Sequence, residues 1–190
     1  TLLLGSCSRS QQPGIGETPQ EILDRKLNNP EAILTPNQSI TLLNHCAELG
    51  EQNAATAAEK TVSIFAGNTG AGRSTTINAL LGCQMKAVRS RELGLPGLKK
   101  IVIVDPESPL GEIMPIGHGW QSQTFMPQIV PTPDEPNSAY CDCPGFYDTR
   151  GAEINISNAI NIRKVLQQST GVKAIFLTSY NGLSAGRGSS

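Results

Sequence analysis

Between Thr61 and Gly82 the chain passes from an alternating apolar run, through a turn carrying Gly67, Gly70 and Gly72, into apolar residues at helical spacing. Val62, Ile64 and Ala66 form the run, and Ile77, Leu80 and Leu81 carry the helical period. Strand, glycine turn and helix in that order confine the region to an α/β unit in which the end of a strand feeds a helix. The turn itself, Gly67 to Thr75, reads G-N-T-G-A-G-R-S-T. It fits the phosphate-binding loop pattern everywhere except at Arg73, where the pattern has lysine.

Each residue type in that pattern has a physical job. Glycines let the backbone turn tightly and bring its N–H groups to phosphate oxygens, and the following helix aims its positive end at the same anion. The nucleotide-binding set is therefore Gly67, Asn68, Thr69, Gly70, Ala71, Gly72, Arg73, Ser74 and Thr75. Ser74 is expected to place its hydroxyl oxygen on Mg²⁺, and Arg73 to reach the outer phosphates. Arginine keeps the charge of lysine but replaces a compact ammonium with a longer, planar fork.

A second segment carries matching chemistry. Asn137 to Gly145 reads N-S-A-Y-C-D-C-P-G, a strand ending in Asp142 followed by a turn of the form D-x-P-G, 68 residues after Ser74. A carboxylate there holds Mg²⁺ through water, and the Gly145 N–H is placed to sense a terminal phosphate. Between the two lies Ser122-Gln123-Thr124, in a segment with Gly117, His118 and Gly119. A threonine hydroxyl on a loop completes the Mg²⁺ shell in nucleotide switches, which makes Thr124 the third metal candidate. His118 and His45 have no orienting partner in the sequence, and neither supports an acid–base triad.

The wording G-x-T-G-x-G-[KR]-S-T-x-I-N-A-L-L-G, then S-x-T, then D-x-P-G-F-x-D-T, resembles the translation-factor-related P-loop GTPases, especially the septin-like, Era-like and immune-associated branch. The resemblance covers about residues 60 to 180. It implies a P-loop NTPase fold: a mostly parallel sheet flanked by helices. It also implies GTP/GDP and Mg²⁺ as ligands, slow GTP hydrolysis that switches two loops, pairing with a like or unlike G domain, and a cytoplasmic location.

The chain departs from the family's pattern at three places. Arg73 replaces the lysine; Phe146 follows Gly145 where Ras-like members carry the glutamine that orients the attacking water; and no N-K-x-D box, the source of guanine selectivity, occurs in the 190 residues. Val172 to Thr178 reads as the strand before that box, so the chain is expected to stop ahead of the base-recognition strand, as a partial G domain. Two other readings stay open: a non-hydrolysing nucleotide-binding scaffold, and an ATP-using P-loop enzyme.

Outside the motifs, two helix starts of the same form stand out. Thr18-Pro19 is followed by Glu21, and Thr35-Pro36 by Gln38. Each pairs a capping threonine with an acid or amide three residues on, and places proline at the first helical position. On the second helix Ile40, Leu43 and Ala47 are expected to line the packed face, widened by Leu42, Cys46 and Leu49. The organisation expected is a flexible segment 1–17, a helical segment 18–59 and the partial G domain 60–190. Cys83 to Lys86 reads as a connector and Ile101 to Val104 as a strand flanked by solvated Lys99 and Lys100.

Glu153 to Gln168 reads as a helix with Ile156, Ala159, Ile160 and Leu166 inward, its asparagines lowering its intrinsic propensity as suits an element that reorders. Arg150 before it is expected to face solvent. The net charge of −1 provides no electrostatic footprint for nucleic acid or an anionic membrane. Five scattered cysteines suit a reducing compartment, and Cys141 and Cys143 are expected to pack as small hydrophobes. The opening T-L-L-L-G-S-C reads either as the tail of a lipoprotein signal with Cys7 lipidated or as an ordinary apolar run, and the missing basic n-region weighs against the former.

Overall fold

A computed structural model of the chain describes residues 16–68, 70–94, 99–104, 113–114, 116, 125–145 and 150–178. Two helices open the described part, α1 (Pro19–Asn28) and α2 (Pro36–Ala54), and both start as the threonine–proline signals predict. The Glu21 carboxylate accepts from the Thr18 N–H at 2.7 Å, and the Gln38 amide oxygen from the Thr35 N–H at 3.0 Å. Reciprocal bonds from the third helical N–H to each threonine hydroxyl complete both boxes. Glu17 joins the two starts, accepting from Arg25 and from the Gln38 amide at 2.8 Å.

Strand β1 (Thr61–Gly67) runs into helix α3 (Arg73–Leu80). There follow β2 (Met85–Arg89), β3 (Lys99–Ile103), β4 (Gln128–Thr132), β5 (Glu135–Asp142), α4 (Ala152–Gln168) and β6 (Gly171–Leu177). The main sheet has the order β4-β5-β1-β6 among the described residues. β1 pairs in parallel with β5 and β6, and β4 pairs antiparallel with β5. The chain is thus an α/β protein with a mostly parallel sheet flanked by helices. The supposed connector at Met85 is instead a strand that forms an antiparallel pair with β3, and Lys99 and Lys100 fall inside β3 rather than beside it.

Strand pleat sorts the side chains to two faces. Val62, Ile64, Ala139, Cys141 and Ile129 point to one side and pack with Ala54, Ala57 and Val165 from α2, the short turn after it and α4. Phe65, in edge-to-face contact with Tyr140, points to the other and packs with Ile77 and Leu81 beside α3, and with Met114. A third cluster, Ile22, Leu23, Leu42, Cys46 and Ile154, fills the space between α1, α2 and α4.

Two predicted helix faces are rotated from their expected positions. On α2 the buried line is Leu42, Cys46, Gly50 and Ala54, and Ile40 is exposed. On α4 the buried line is Ile154, Ser157, Asn158, Asn161 and Val165, whereas Ile156, Ile160 and Leu166 face out. The reason lies in the α2–α4 contact, which is held by polar bonds as well as by apolar area. Asn161 donates to the Cys46 carbonyl at 3.1 Å, and Lys164 to the Ala47 carbonyl at 2.7 Å and the Glu51 carboxylate at 2.8 Å. At the start of α4, Glu153 accepts from Ser39 at 3.0 Å, and Lys26 lies 4.0 Å from it while donating to the Pro30 and Ala32 carbonyls. Arg150, expected at the surface, is buried.

Candidate functional site

The chain leaves β1 for α3 on one face of the sheet and leaves the neighbouring β5 for α4 on the other. Adjacent parallel strands whose connections part to opposite faces create a crevice beyond their carboxyl ends, the place where open α/β sheets bind ligands. Gly67 ends β1 there and Asp142 ends β5. The parallel register puts Asp142 opposite Phe65, so its carboxylate leaves the sheet on the α3 side.

The loop from Gly67 to Gly72 closes on itself, the Ala71 N–H donating to the Asn68 carbonyl at 3.0 Å. A β-carbon at Gly67 would overlap the Leu177 carbonyl of β6, so glycine is demanded there by the neighbouring strand. Gly72 is required for a different reason: its φ is +91° and the space around it is open, so only backbone conformation excludes a side chain. Gly70 has φ +79° in equally open surroundings. Among the described residues no side-chain hydrogen bond caps α3, whose N-cap is Gly72 itself. The first-turn N–H groups of a helix have no intrahelical acceptor, and with the helix dipole they favour an anion.

Ser74 and Asp142, both assigned from the sequence to Mg²⁺, lie in contact. The Ser74 hydroxyl donates to Asp142 Oδ2 at 2.5 Å, and the carboxylate is fully buried. Asn68 and Gly70 are exposed, Ala71 and Thr75 half-buried, and Gly145 is buried three residues beyond β5. Arg73 has turned back beneath the loop. Its side chain is 7 % exposed, Nη1 donates to the Gly67 carbonyl at 3.0 Å, and Nε lies 3.8 Å from Asp142 Oδ1. Thr69, His118, Ser122, Thr124, Phe146, Asp148 and Thr149 lie outside the described residues, as does Cys7.

Behind the loop stands a residue that the motif wording contains and to which it gave no role. Asn78, fully buried on α3, donates to the Met114 carbonyl at 2.7 Å and accepts from the Met114 and Ile113 N–H groups at 2.9 and 3.1 Å. It fastens the segment at 113–114 to the helix that starts in the loop. The only sequence signal for it is an amide within an otherwise apolar helical run. Cys141 and Cys143, on either side of Asp142, have their sulfurs 3.8 Å apart in the apolar layer opposite the site. A hydrogen bond with Cys143 in which the protonated Cys141 donates, together with burial, holds the Cys141 thiol well above its ordinary range, so it stays protonated and packs as a small hydrophobe.

No group of three or more His, Cys, Asp or Glu side chains among the described residues is arranged to hold a metal. Among the described residues the site offers a hard cation two oxygen-bearing side chains, Ser74 and Asp142. That suits Mg²⁺, which commonly takes one or two protein oxygens and completes its shell with phosphate and water. No helix among the described residues is long and apolar enough to cross a membrane.

Comparison with known proteins gives no match. Neither a family model, nor a curated protein, nor a solved structure matches the chain.

Proposed function

We propose that the chain is a GTP-binding protein with the P-loop NTPase fold: a Mg²⁺-dependent nucleotide switch with slow hydrolysis. The observation that carries the reading is the meeting of the Ser74 hydroxyl and the buried Asp142 carboxylate at 2.5 Å, beside the uncapped start of α3. The sheet's switch point supplies the crevice, the glycine loop the backbone donors, and the helix start the favourable potential for phosphate.

Each residue has a role in this reading. Residues 67 to 75 hold the phosphates, Ser74 ligates Mg²⁺ directly, Asp142 holds it through water, and Gly145 reports the terminal phosphate. Thr124 completes the metal shell in the triphosphate state. Bound Mg²⁺ neutralises the phosphate oxygens as charge develops on them. Guanine as the base, a cytoplasmic location and pairing through the G domain follow from the motif resemblance. The buried thiols of Cys46, Cys141 and Cys143 suit a reducing compartment.

The buried pose of Arg73 also favours a second reading, a scaffold that binds nucleotide without turning it over, because a guanidinium resting under the loop must leave Gly67 and Asp142 before it reaches the transferred phosphate. One experiment separates the readings: competition of GTP against ATP with Mg²⁺ present, on the chain and on Arg73→Lys, followed by phosphate release. GTP winning with measurable release supports the switch. GTP winning without release in the native chain, restored in Arg73→Lys, supports the scaffold, and preference for ATP overturns the GTP assignment.

A further inference from the structure

We propose that Arg73 is an exchangeable internal counter-ion: it neutralises Asp142 while the loop is empty, and yields the carboxylate to a divalent cation only when phosphate draws the guanidinium away. The inference rests on the phosphate-loop reading above and adds an order of events to it.

Three observations carry it. The Asp142 carboxylate is fully buried, where an uncompensated charge is costly. The Arg73 guanidinium lies beside it, with Nε 3.8 Å from Oδ1 and a side chain only 7 % exposed. The same guanidinium also donates to the Gly67 carbonyl at 3.0 Å, at the last residue of β1, so it spans the floor of the loop from one strand end to the other. Ser74 closes the second carboxylate oxygen at 2.5 Å. The Asp142 carboxylate suited to Mg²⁺ therefore already has the Ser74 hydroxyl on one oxygen and the Arg73 charge beside the other.

Phosphate changes the balance. A di- or triphosphate in the loop offers several charged acceptors to a group whose planar fork binds such oxygens in pairs. As the guanidinium turns to them, Asp142 loses its counter-ion at the moment the phosphates bring a second set of cation ligands. No covalent bond forms or breaks, and the exchange is of ion pairs alone. A lysine in this place carries a single nitrogen and cannot span the floor of the loop and the carboxylate with separate donors. The cation therefore enters with the phosphates and not before them.

The test uses Mn²⁺ as the probe ion, read by electron paramagnetic resonance, with thermal melting in Mg²⁺ as a second readout. The free native chain is expected to bind Mn²⁺ weakly and to melt at the same temperature with and without Mg²⁺. Adding inorganic pyrophosphate should strengthen Mn²⁺ retention on the protein by about tenfold or more. Arg73→Gln leaves Asp142 without its guanidinium, so that variant without pyrophosphate should bind Mn²⁺ and gain about 3 °C or more in Mg²⁺. Arg73→Lys, which keeps the charge and the fold, should fall between the two.

Tight Mn²⁺ binding by the free native chain, equal to that of Arg73→Gln, overturns the proposal and leaves the phosphate-loop reading untouched. If Arg73→Gln does not fold, native-like indifference to Mn²⁺ and Mg²⁺ in Arg73→Lys overturns it instead. If pyrophosphate and GDP both fail to bind the native chain, the phosphate-loop reading fails, and the metal titrations of the free proteins still decide whether Arg73 shields Asp142.

Discussion

Helices α2 and α3 begin in opposite ways. The start of α2 is closed by its own chain, with Thr35 and Gln38 satisfying each other's backbone partners and Pro36 removing one donor outright. The start of α3 has a glycine in a left-handed conformation as its cap and no side-chain cap hydrogen bond among the described residues. A capping box at α3 would need a capping side chain at Gly72, which φ +91° disfavours, and an acid or amide at Thr75, so the end is set by the loop's backbone and not by poor helix chemistry. The contrast extends to the layers behind each helix. The α2–α4 side is stapled along its length, from Lys26 and Ser39 on Glu153 to Lys164 on Glu51. On the α3 side the buried Arg73 and Asp142 and the half-buried Ser74 converge at one end of the sheet.

If the helical layer acts as scaffold and the α3 side as site, damage to one should leave the other's chemistry intact. The largest effect is expected from Leu42→Ala, which empties a fully buried position among α1, α2 and α4. It should cost about 2–5 kcal/mol in urea unfolding, with GDP affinity unchanged in whatever fraction remains folded. Asn78→Ala comes next, at about 2–3 kcal/mol, because it strands the Met114 and Ile113 backbone groups in the interior. Unlike the first change, it should also alter amide exchange in residues 113–114.

Thr35→Ala removes the α2 cap and should cost about 1 kcal/mol, whereas Gly72→Ser, a better capping residue on paper, should gain nothing because φ +91° disfavours it. Asn158 has both side-chain heteroatoms buried without a hydrogen-bond partner among the described residues. Asn158→Leu should therefore raise stability by about 1 kcal/mol and leave nucleotide binding alone.

The smallest effect distinguishes the two capping boxes from each other. Bonds from the Thr18 backbone and then its hydroxyl hold the Glu21 carboxyl below the usual glutamate range. A depressed pKa contributes stability that is present above the unfolded value and is lost as pH falls through the folded one. The circular dichroism of α1 should weaken on acidification, and Glu21→Gln should flatten that limb. Gln38 does not titrate, so the α2 box should hold throughout.

Much of this was legible in the sequence. Helix starts were, because a capping box is a local bond pattern that needs no tertiary partner. The strand–loop–helix unit and the approach of Ser74 to Asp142 were, because each is fixed by a turn at a strand end and the two strands are neighbours. The inward face of α4 was not. Its buried residues include Ser157, Asn158 and Asn161, small or polar groups that let α2 come close enough for bonds to its carbonyls, while Ile156 and Ile160 point away. Hydrophobic periodicity picks out the isoleucines and has no term for a polar helix seam. The pose of Arg73 was hidden for the same reason: a loop motif states which residue reaches phosphate, not where its side chain rests between two strand ends.

The most direct test is calorimetric titration of Mg²⁺-GDP into the native chain and into Gly72→Ala, with circular dichroism showing that α1, α2 and α4 remain folded. The account predicts binding at micromolar concentrations in the native chain and a loss of about tenfold or more in the variant, since only the loop geometry at φ +91° has been disturbed. Absence of binding by the folded native chain, or equal binding by the two, would contradict it.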